Sequence, residues 1–525
     1  MPPIRQIARI CLLASSVLAA STAALAQEAA EVFRLPTTMV EPGEFVVPVA
    51  DSQSLALEDL PPADAERITL LEQRLDELSK AVKPAPAKPA GKAEEFPTHR
   101  LTGFLQLDTA FYAQSPNNRT TVGDAQDGTG FRRARLAVQG KVAEFTNYQL
   151  EMDFATAGHP SFFDNYIDQG NLPFFGTIRA GHFLQPFSID AMSGFRNLPF
   201  LERSLPFLAF VPFRRTGIMA SNSSEDEMTT WAYSVFRTGG FNNAPVGDSR
   251  FGTDFGDIGG YSFSSRATHL LYYDPYAGDR YLFQVGASYD YSQLGANDAI
   301  GSGTPGNSGS PQPFYQSRVL PEFGPLGNLE LGGSFGSSVN GTPIFVDSGR
   351  YAASNFNLFG LETLGQAGPW SVQGEYMATL VESVVGPVFY HGAYAEVLYR
   401  LTGEHRAYDK KLGALKNPIP FTDFIPLKRD GICGWGAWEV AFRWSFVDIR
   451  NPDDLDGHYY VPATNTFTGT SKAGNGVLND TTLGVTWFLN QHTKLQFNWI
   501  HCMLDNTARG FSTAELFVAR AQVDF

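Results

Sequence analysis

Cysteine is almost missing from this 525-residue sequence, with only Cys11, Cys433 and Cys502 present. So few thiols exclude a disulfide framework and a cysteine-based zinc cluster, and no bridge between Cys433 and Cys502 is expected. The nine histidines show no metal-ligand spacing. Charge is scarce too: charged residues are 18% of the chain and the net charge is −15, which excludes a basic nucleic-acid binder. After residue 26 no run of about 18 apolar residues occurs, so membrane-spanning helices are excluded. A closed β-barrel remains as a way to cross a bilayer, because its backbone groups are satisfied between strands.

Aromatic residues, by contrast, are plentiful at 13%, and 51 glycines break the chain into short segments, which is not a disordered composition. Arg5 and Arg9 precede an apolar stretch, Ile10 to Ala20, followed by Ala24-Leu25-Ala26. This pattern predicts a secretory signal peptide over 1–26; the stretch is too short for a membrane anchor. Residues 27–62 are Pro- and acid-rich without sustained period, and are expected to be disordered in the periplasm. Ile68, Leu71, Leu75, Leu78 and Val82 follow at heptad spacing, predicting a coiled-coil helix over 63–82; a solvated amphipathic helix would share the pattern. Residues 83–97 read as a semi-rigid Pro/Ala/Lys linker.

From 98 to 525 the period becomes two. Phe517, Ala519, Ala521, Val523 and Phe525 form an apolar row, with Arg520, Gln522 and Asp524 opposite. In 435–449, Trp438, Val440, Phe442, Trp444 and Phe446 alternate with Glu439, Arg443 and Ser445. Sixteen such segments can be read, near 101–112, 131–142, 147–155, 162–171, 176–184, 216–222, 229–239, 263–274, 280–291, 354–365, 370–381, 389–401, 435–449, 480–489, 494–504 and 514–525. An even count returns the C-terminus to the side it started from, as single-chain outer-membrane barrels require. Soluble sandwiches alternate too, but with shorter strands. The expected fold is therefore all-β: a 16-stranded antiparallel transmembrane β-barrel facing outer-membrane lipid, preceded by the coiled-coil helix. With a periplasmic start most inner turns are short; the inner connection 402–433 breaks that rule. Phe525 would offer an apolar free end to barrel-assembly machinery.

Several stretches resemble the phosphate-selective porin O and P family: "IRAGHFLQPFSIDAMSGFRNLPFLERS", "AFVPFRRTGI", "VLYRLTGEHRAY", "GAWEVAFRWSFVDI", "TLGVTWFLNQHTKLQFNWIH" and the ending "ELFVARAQVDF". The resemblance spans roughly 100–525. It implies a sixteen-stranded, usually homotrimeric barrel that passes anions through the outer membrane, without a cofactor.

The third outer loop, 185–215, is the one that folds inward in sixteen-stranded porins. It carries Arg196, Arg203, Arg214 and Arg215, with Asp190 and Glu202 its only acids. Arginines ringing a constriction favour anions, because fixed positive charge offsets dehydration and guanidinium forks match oxyanions. The competing reading is local pairing, of Glu202 with Arg203 or of Arg214 with a wall carboxylate. Arg133, Arg135, Lys141, Arg179, Arg400, Arg443, Lys494 and Arg520 would line the lumen, opposed by Asp108, Glu151, Asp153, Glu375, Glu396, Glu439 and Asp524. Such opposed charges weaken selectivity. A passive channel for small anions such as phosphate is the first reading. A general, weakly selective diffusion porin and an envelope-structuring barrel tethered by its coiled coil are the alternatives. "GSGTPG" (301–306) and "GGSFG" (332–336) match a dinucleotide loop and a nucleophile elbow only literally, since neither leads into a helix. No catalytic Ser/His/Asp arrangement stands out, so no enzyme is expected.

Overall fold

A strand that alternates apolar and polar side chains shows one face to lipid and one to water, and a sheet of such strands loses its edges by closing. The computed structural model describes residues 95–155, 160–238, 260–294, 313–323, 342–426, 434–461, 466–470 and 474–525. The expected signal peptide, acidic segment, coiled-coil helix, most of the linker, Cys433 and both glycine motifs lie outside the described residues. Ala93–Phe525 form one compact unit.

Of nineteen strands in the main sheet, three are short additions: Phe314–Tyr315, Tyr459–Val461 and Thr466–Gly469. The other sixteen are β1 (Arg100–Gln114), β2 (Gly128–Ala143), β3 (Thr146–Asp153), β4 (Ser161–Leu172), β5 (Gly176–Leu184), β6 (Arg214–Ser223), β7 (Thr229–Arg237), β8 (Tyr261–Tyr273), β9 (Tyr281–Gln293), β10 (Tyr351–Ala367), β11 (Trp370–Ser383), β12 (Gly386–Arg400), β13 (Ala437–Ile449), β14 (Gly476–Asn490), β15 (Thr493–Asn506) and β16 (Gly510–Asp524). Each pairs antiparallel with its predecessor. β16 then returns to β1, with Phe104 opposite Asp524 and Gln114 opposite Ala514. The result is an all-β, closed, antiparallel barrel. Every expected strand overlaps one of these, and the observed ends mostly run a few residues longer.

The seam constrains the sequence. Gly103 N–H donates to the Phe525 carbonyl at 2.9 Å, and Phe525 N–H returns a bond to Gly103 at 3.0 Å. A Cβ at Gly103 would stand 2.6 Å from the Phe525 ring and 2.5 Å from the Arg135 carbonyl, so only glycine closes the barrel there without displacement.

The two faces sort as their chemistry requires. On β13, Glu439, Arg443 and Ser445 are buried, while Phe442 and Trp444 are 41% and 40% exposed. Reversing that pattern would place a charge against lipid, costing roughly 2–4 kcal/mol at the midplane. Most short connections gather at one end, the turn end, and most long ones at the other, the loop end. Outward aromatic rings band the turn end: Trp370 meets Tyr399 with centroids 4.4 Å apart, and Trp438 stacks on Trp487 at 4.9 Å. Such rings suit the boundary between oil and headgroups. Among the described residues, the overlong connection after β12 is partly folded. Arg406–Asp409 and Ala414–Pro418 form a small hairpin there. Cys502, on β15, is buried and free.

Candidate functional site: the barrel interior

The interior-facing side chains follow the period of two except where a bulge breaks it. Gln106 of β1 faces Arg133, whereas Leu107 faces Phe131, so Arg132 is the extra residue. A bulge re-aims side chains, and here Arg132 and Arg133 are both buried although adjacent in sequence. Strict alternation sends Arg132 to lipid, which is why the sequence pointed to Arg133 alone.

Segment 185–213, between β5 and β6, meets interior-facing groups of many strands. Arg443 donates to the Glu202 carbonyl at 3.0 Å and Arg520 to that of Leu201 at 2.6 Å. Lys494 donates to the carbonyls of Arg196 (2.9 Å) and Leu198 (3.2 Å). In return the Leu205 N–H donates to Ser445 Oγ at 2.9 Å and the Asp190 N–H to Glu375 Oε1 at 2.8 Å. Gly484 leaves room for Phe200, whose ring lies 3.2 Å from where a Cβ would be.

The four arginines expected in the third loop are placed differently from one another, and Arg214 and Arg215 begin strand β6. Arg203 is buried and donates to three backbone carbonyls, Asp190 at 2.8 Å, Ala191 at 3.2 Å and Ser193 at 2.7 Å. Arg214 makes a two-pronged bond to Asp164 of β4, at 3.0 and 2.8 Å, so the wall-carboxylate pairing is the one observed. Arg215 is buried, and its carbonyl accepts from Gln185 at 3.0 Å. Arg196 is half-buried; its Nη1 donates to Thr102 Oγ1 at 3.2 Å and its guanidinium lies 4.9 Å from the Phe104 ring centre.

The other local pairing of that competing reading, Glu202 with Arg203, does not appear among the contacts of Glu202 in the described residues. Glu202 instead meets Arg132, Arg133 and Arg520 at 2.9 Å each, because its side chain points across the β16–β1–β2 seam. Burial pushes its carboxyl up, but Arg132, Arg133 and Arg520 outweigh that and hold it well below the usual carboxylate range.

Several of the basic residues expected to line the lumen are matched as well. Arg135 bonds Asp153 at 2.9 Å, Arg179 bonds Asp168 at 2.7 Å and Arg443 bonds Glu322 at 2.7 Å. Lys141 is half-buried near the turn end. Further pairs went unforeseen: Arg266 with Glu362 at 2.6 Å, and Arg406 of the hairpin with Glu439 at 2.5 Å. The anomalous length of 402–433 was the signal for Arg406. Glu322 gave none, since it sits in a long loop without periodicity. A cavity of about 20 Å³ remains between Asp190, Asn197, Glu396 and Arg406, room for one water molecule.

A closed barrel with an apolar belt and a charged, hydrogen-bonded interior defines a class: this is an outer-membrane porin. The chain belongs to the phosphate-selective porin O and P family, which it matches over residues 102–300 and 340–525. It is similar to Porin O of Pseudomonas aeruginosa, 24% identical over 441 residues, covering 81% of this chain and 88% of that one. Among solved structures it resembles the outer membrane channel DcaP of Acinetobacter baumannii, with a TM-score of 0.42, 10% identity and coverage of 81% and 97%. It also resembles the trimer form of OmpT of Vibrio cholerae, with a TM-score of 0.42, 9% identity and coverage of 82% and 99%.

Proposed function

We propose that the barrel is a passive channel for small anions such as phosphate, and that its preference for anions is mild. One observation carries the reading: arginine crowds the interior, yet guanidinium after guanidinium is matched by a carboxylate or a carbonyl. Oxyanions find forks of the right shape, but little uncompensated charge draws them in. In this reading 185–213 is the constriction loop, with Arg203, Arg214 and Arg215 framing the passage and Arg196 facing it. Arg133, Arg135, Lys141, Arg179 and Arg443 supply the basic half of a balanced wall. The turn end faces the periplasm, where the exported N-terminal segment would lie after signal cleavage, and a homotrimer is the assembly we expect.

The same matching of charge favours a second reading, a general diffusion porin with weak selectivity. Reversal potentials across a planar bilayer under a potassium chloride gradient separate the two. A small, steady anion preference is expected. Preferential cation passage, or no ion current, would remove the anion channel, and equal passage would favour the general porin.

A further inference from the structure

A cavity of about 610 Å³ opens on the lipid face of the barrel, where β13 to β16 meet β1 and β2. Two rows of outward side chains shape it. In the row nearer the turn end, Trp487 stands opposite Leu495, Leu495 opposite Ala521, and Ala521 opposite Leu107. One step toward the loop end, Val485 faces Phe497, Phe497 faces Ala519, and Ala519 faces Thr109. In both rows the β16 member is alanine, so the surface sinks between neighbours that reach further out. Leu495, Phe497 and Leu107 are 40%, 46% and 42% exposed, and along β16 the two alanines lie between the exposed Phe517 and Val523.

The polar atoms at the rim are already engaged. The Thr109 hydroxyl donates to the Gly128 carbonyl at 3.3 Å and accepts from Thr129 at 2.8 Å, and the Trp487 indole N–H donates to the Trp435 carbonyl at 2.8 Å. Asp108, Gln496 and Arg520 border the hollow only through the sheet, since their side chains are buried on the lumen side. What the hollow offers is apolar contact area, which suits hydrocarbon, whereas a sugar or a headgroup would be desolvated there for nothing. The wall is also held in place: Trp487 is stacked on Trp438 at 4.9 Å and meets Phe424 edge-on at 4.7 Å. These rings belong to the turn-end band, which marks the headgroup boundary, so the hollow begins at that level and runs into the apolar belt. Its volume falls within the roughly 300–1,000 Å³ of sites that hold one small molecule.

We propose that this hollow binds one acyl chain of a phospholipid, with the tail over Ala519 and Ala521 and the headgroup at the level of Trp438 and Trp487. The choice of a phospholipid of the periplasmic leaflet, over lipid A of the outer one, rests on the reading that the turn end faces the periplasm. The hollow itself depends neither on that orientation nor on ion passage.

The test uses the full-length protein extracted in mild detergent, with palmitoyl-oleoyl phosphatidylethanolamine as the probe, read by native mass spectrometry. One lipid per barrel should be retained in preference to further ones. Ala519→Leu combined with Ala521→Leu fills the hollow and should weaken that retention by about tenfold or more, the equivalent of two buried methylenes. Ala395→Leu, at an exposed alanine of β12 paired with the outward Trp444, should leave it unchanged. Should the filled variant fail to fold, the same phospholipid with a diazirine in its chain tests the unsubstituted protein, and labelling should concentrate on Leu107, Leu495 and Phe497. Equal retention by the filled variant, or labelling spread evenly around the belt, overturns the proposal. So does a filled variant whose barrels come apart from one another while lipid retention is unchanged, because the hollow would then be a contact between copies. Stronger retention of lipid A than of the phospholipid would overturn the assigned leaflet, and with it the periplasmic turn end, whereas loss of the channel reading would show only in the bilayer currents.

Discussion

Two segments bond to the interior-facing residues, one from each end of the barrel, and they are held by different forces. Segment 185–213, from the loop end, buries Phe187, Ile189, Leu198, Phe200, Leu201 and Leu205, and its backbone is bonded to wall donors along its length. The hairpin at 406–418, from the turn end, buries little apolar surface beyond Tyr408, Ala414 and Leu415, and Leu412 is 46% exposed. What holds it is polar: Arg406 on Glu439, and the Gly413 carbonyl accepting from Arg266 and Gln284. The two meet where Arg406 donates to the Asn197 carbonyl at 2.7 Å and Asn417 to that of Arg196 at 2.8 Å. Apolar burial contributes to stability outright, whereas a buried ion pair must first recover the cost of desolvating both partners. The first segment should therefore behave as part of the core and the second as an attachment.

The largest expected effect breaks the core-like segment. Arg203→Met leaves the carbonyls of Asp190, Ala191 and Ser193 without their donor in a buried site. At 1–3 kcal/mol for each unsatisfied group, roughly 3 kcal/mol or more of stability should go. The readouts are denaturant unfolding and electrophoretic mobility with and without heating. A variant as stable as the parent would show that the segment does not belong to the core.

Arg406→Met should be costly only locally. It leaves Glu439 with Arg400 at 3.5 Å, and removing one member of a buried pair costs on the order of 3 kcal/mol. The hairpin can shed that cost by detaching, so barrel unfolding should hardly change. Tryptic cleavage after Lys410 or Lys411 should speed up and single-channel conductance should rise. A barrel that unfolds earlier, with cleavage unchanged, would make the hairpin as integral as 185–213.

Acid distinguishes the same two regions more gently. The Glu202 carboxyl is held below its ordinary range, so its stabilisation is complete above the unfolded value of about 4.3 and disappears only as pH falls toward the depressed native value. Glu202→Gln should therefore unfold earlier than the parent from pH 8 to 5, and the gap should begin to narrow only below about pH 4. Asp409 of the hairpin is also held low: burial raises it, but the Lys416 bond and the N–H groups of Leu412 and Lys411 prevail. Because Asp409 is partly exposed, Asp409→Asn should leave a much smaller gap over the same range. A gap independent of pH at Glu202 would mean that shape, not charge, seats that residue.

The barrel was legible because period two is a local property. The apolar row ending at Phe525 and the Glu439–Arg443–Ser445 row are visible within a dozen residues, and repeating that pattern sixteen times leaves closure as the outcome. The partners of the arginines were not legible. Arg520 and Glu202 are 318 positions apart, and Arg443 and Glu322 are 121 apart, so nothing in local spacing joins them. Arg132 was missed for the opposite reason: the doublet was in plain view, but alternation assigned it to lipid until the bulge reversed it.

The smallest expected effect falls on Arg196, where backbone and side chain have separate tasks. Its carbonyl accepts from Lys494, Asn417 and Gln522, bonds that survive any substitution of the side chain. The half-buried guanidinium donates to Thr102 and rests near the Phe104 ring. Arg196→Ala should therefore change stability by no more than about 0.5 kcal/mol. If this cation faces the passage, the anion-to-cation permeability ratio should fall, by about twofold or less given screening at physiological salt. A stability loss as large as that of Arg203→Met would place Arg196 with the residues that hold the segment. An unchanged reversal potential would show that permeating ions do not sense this charge.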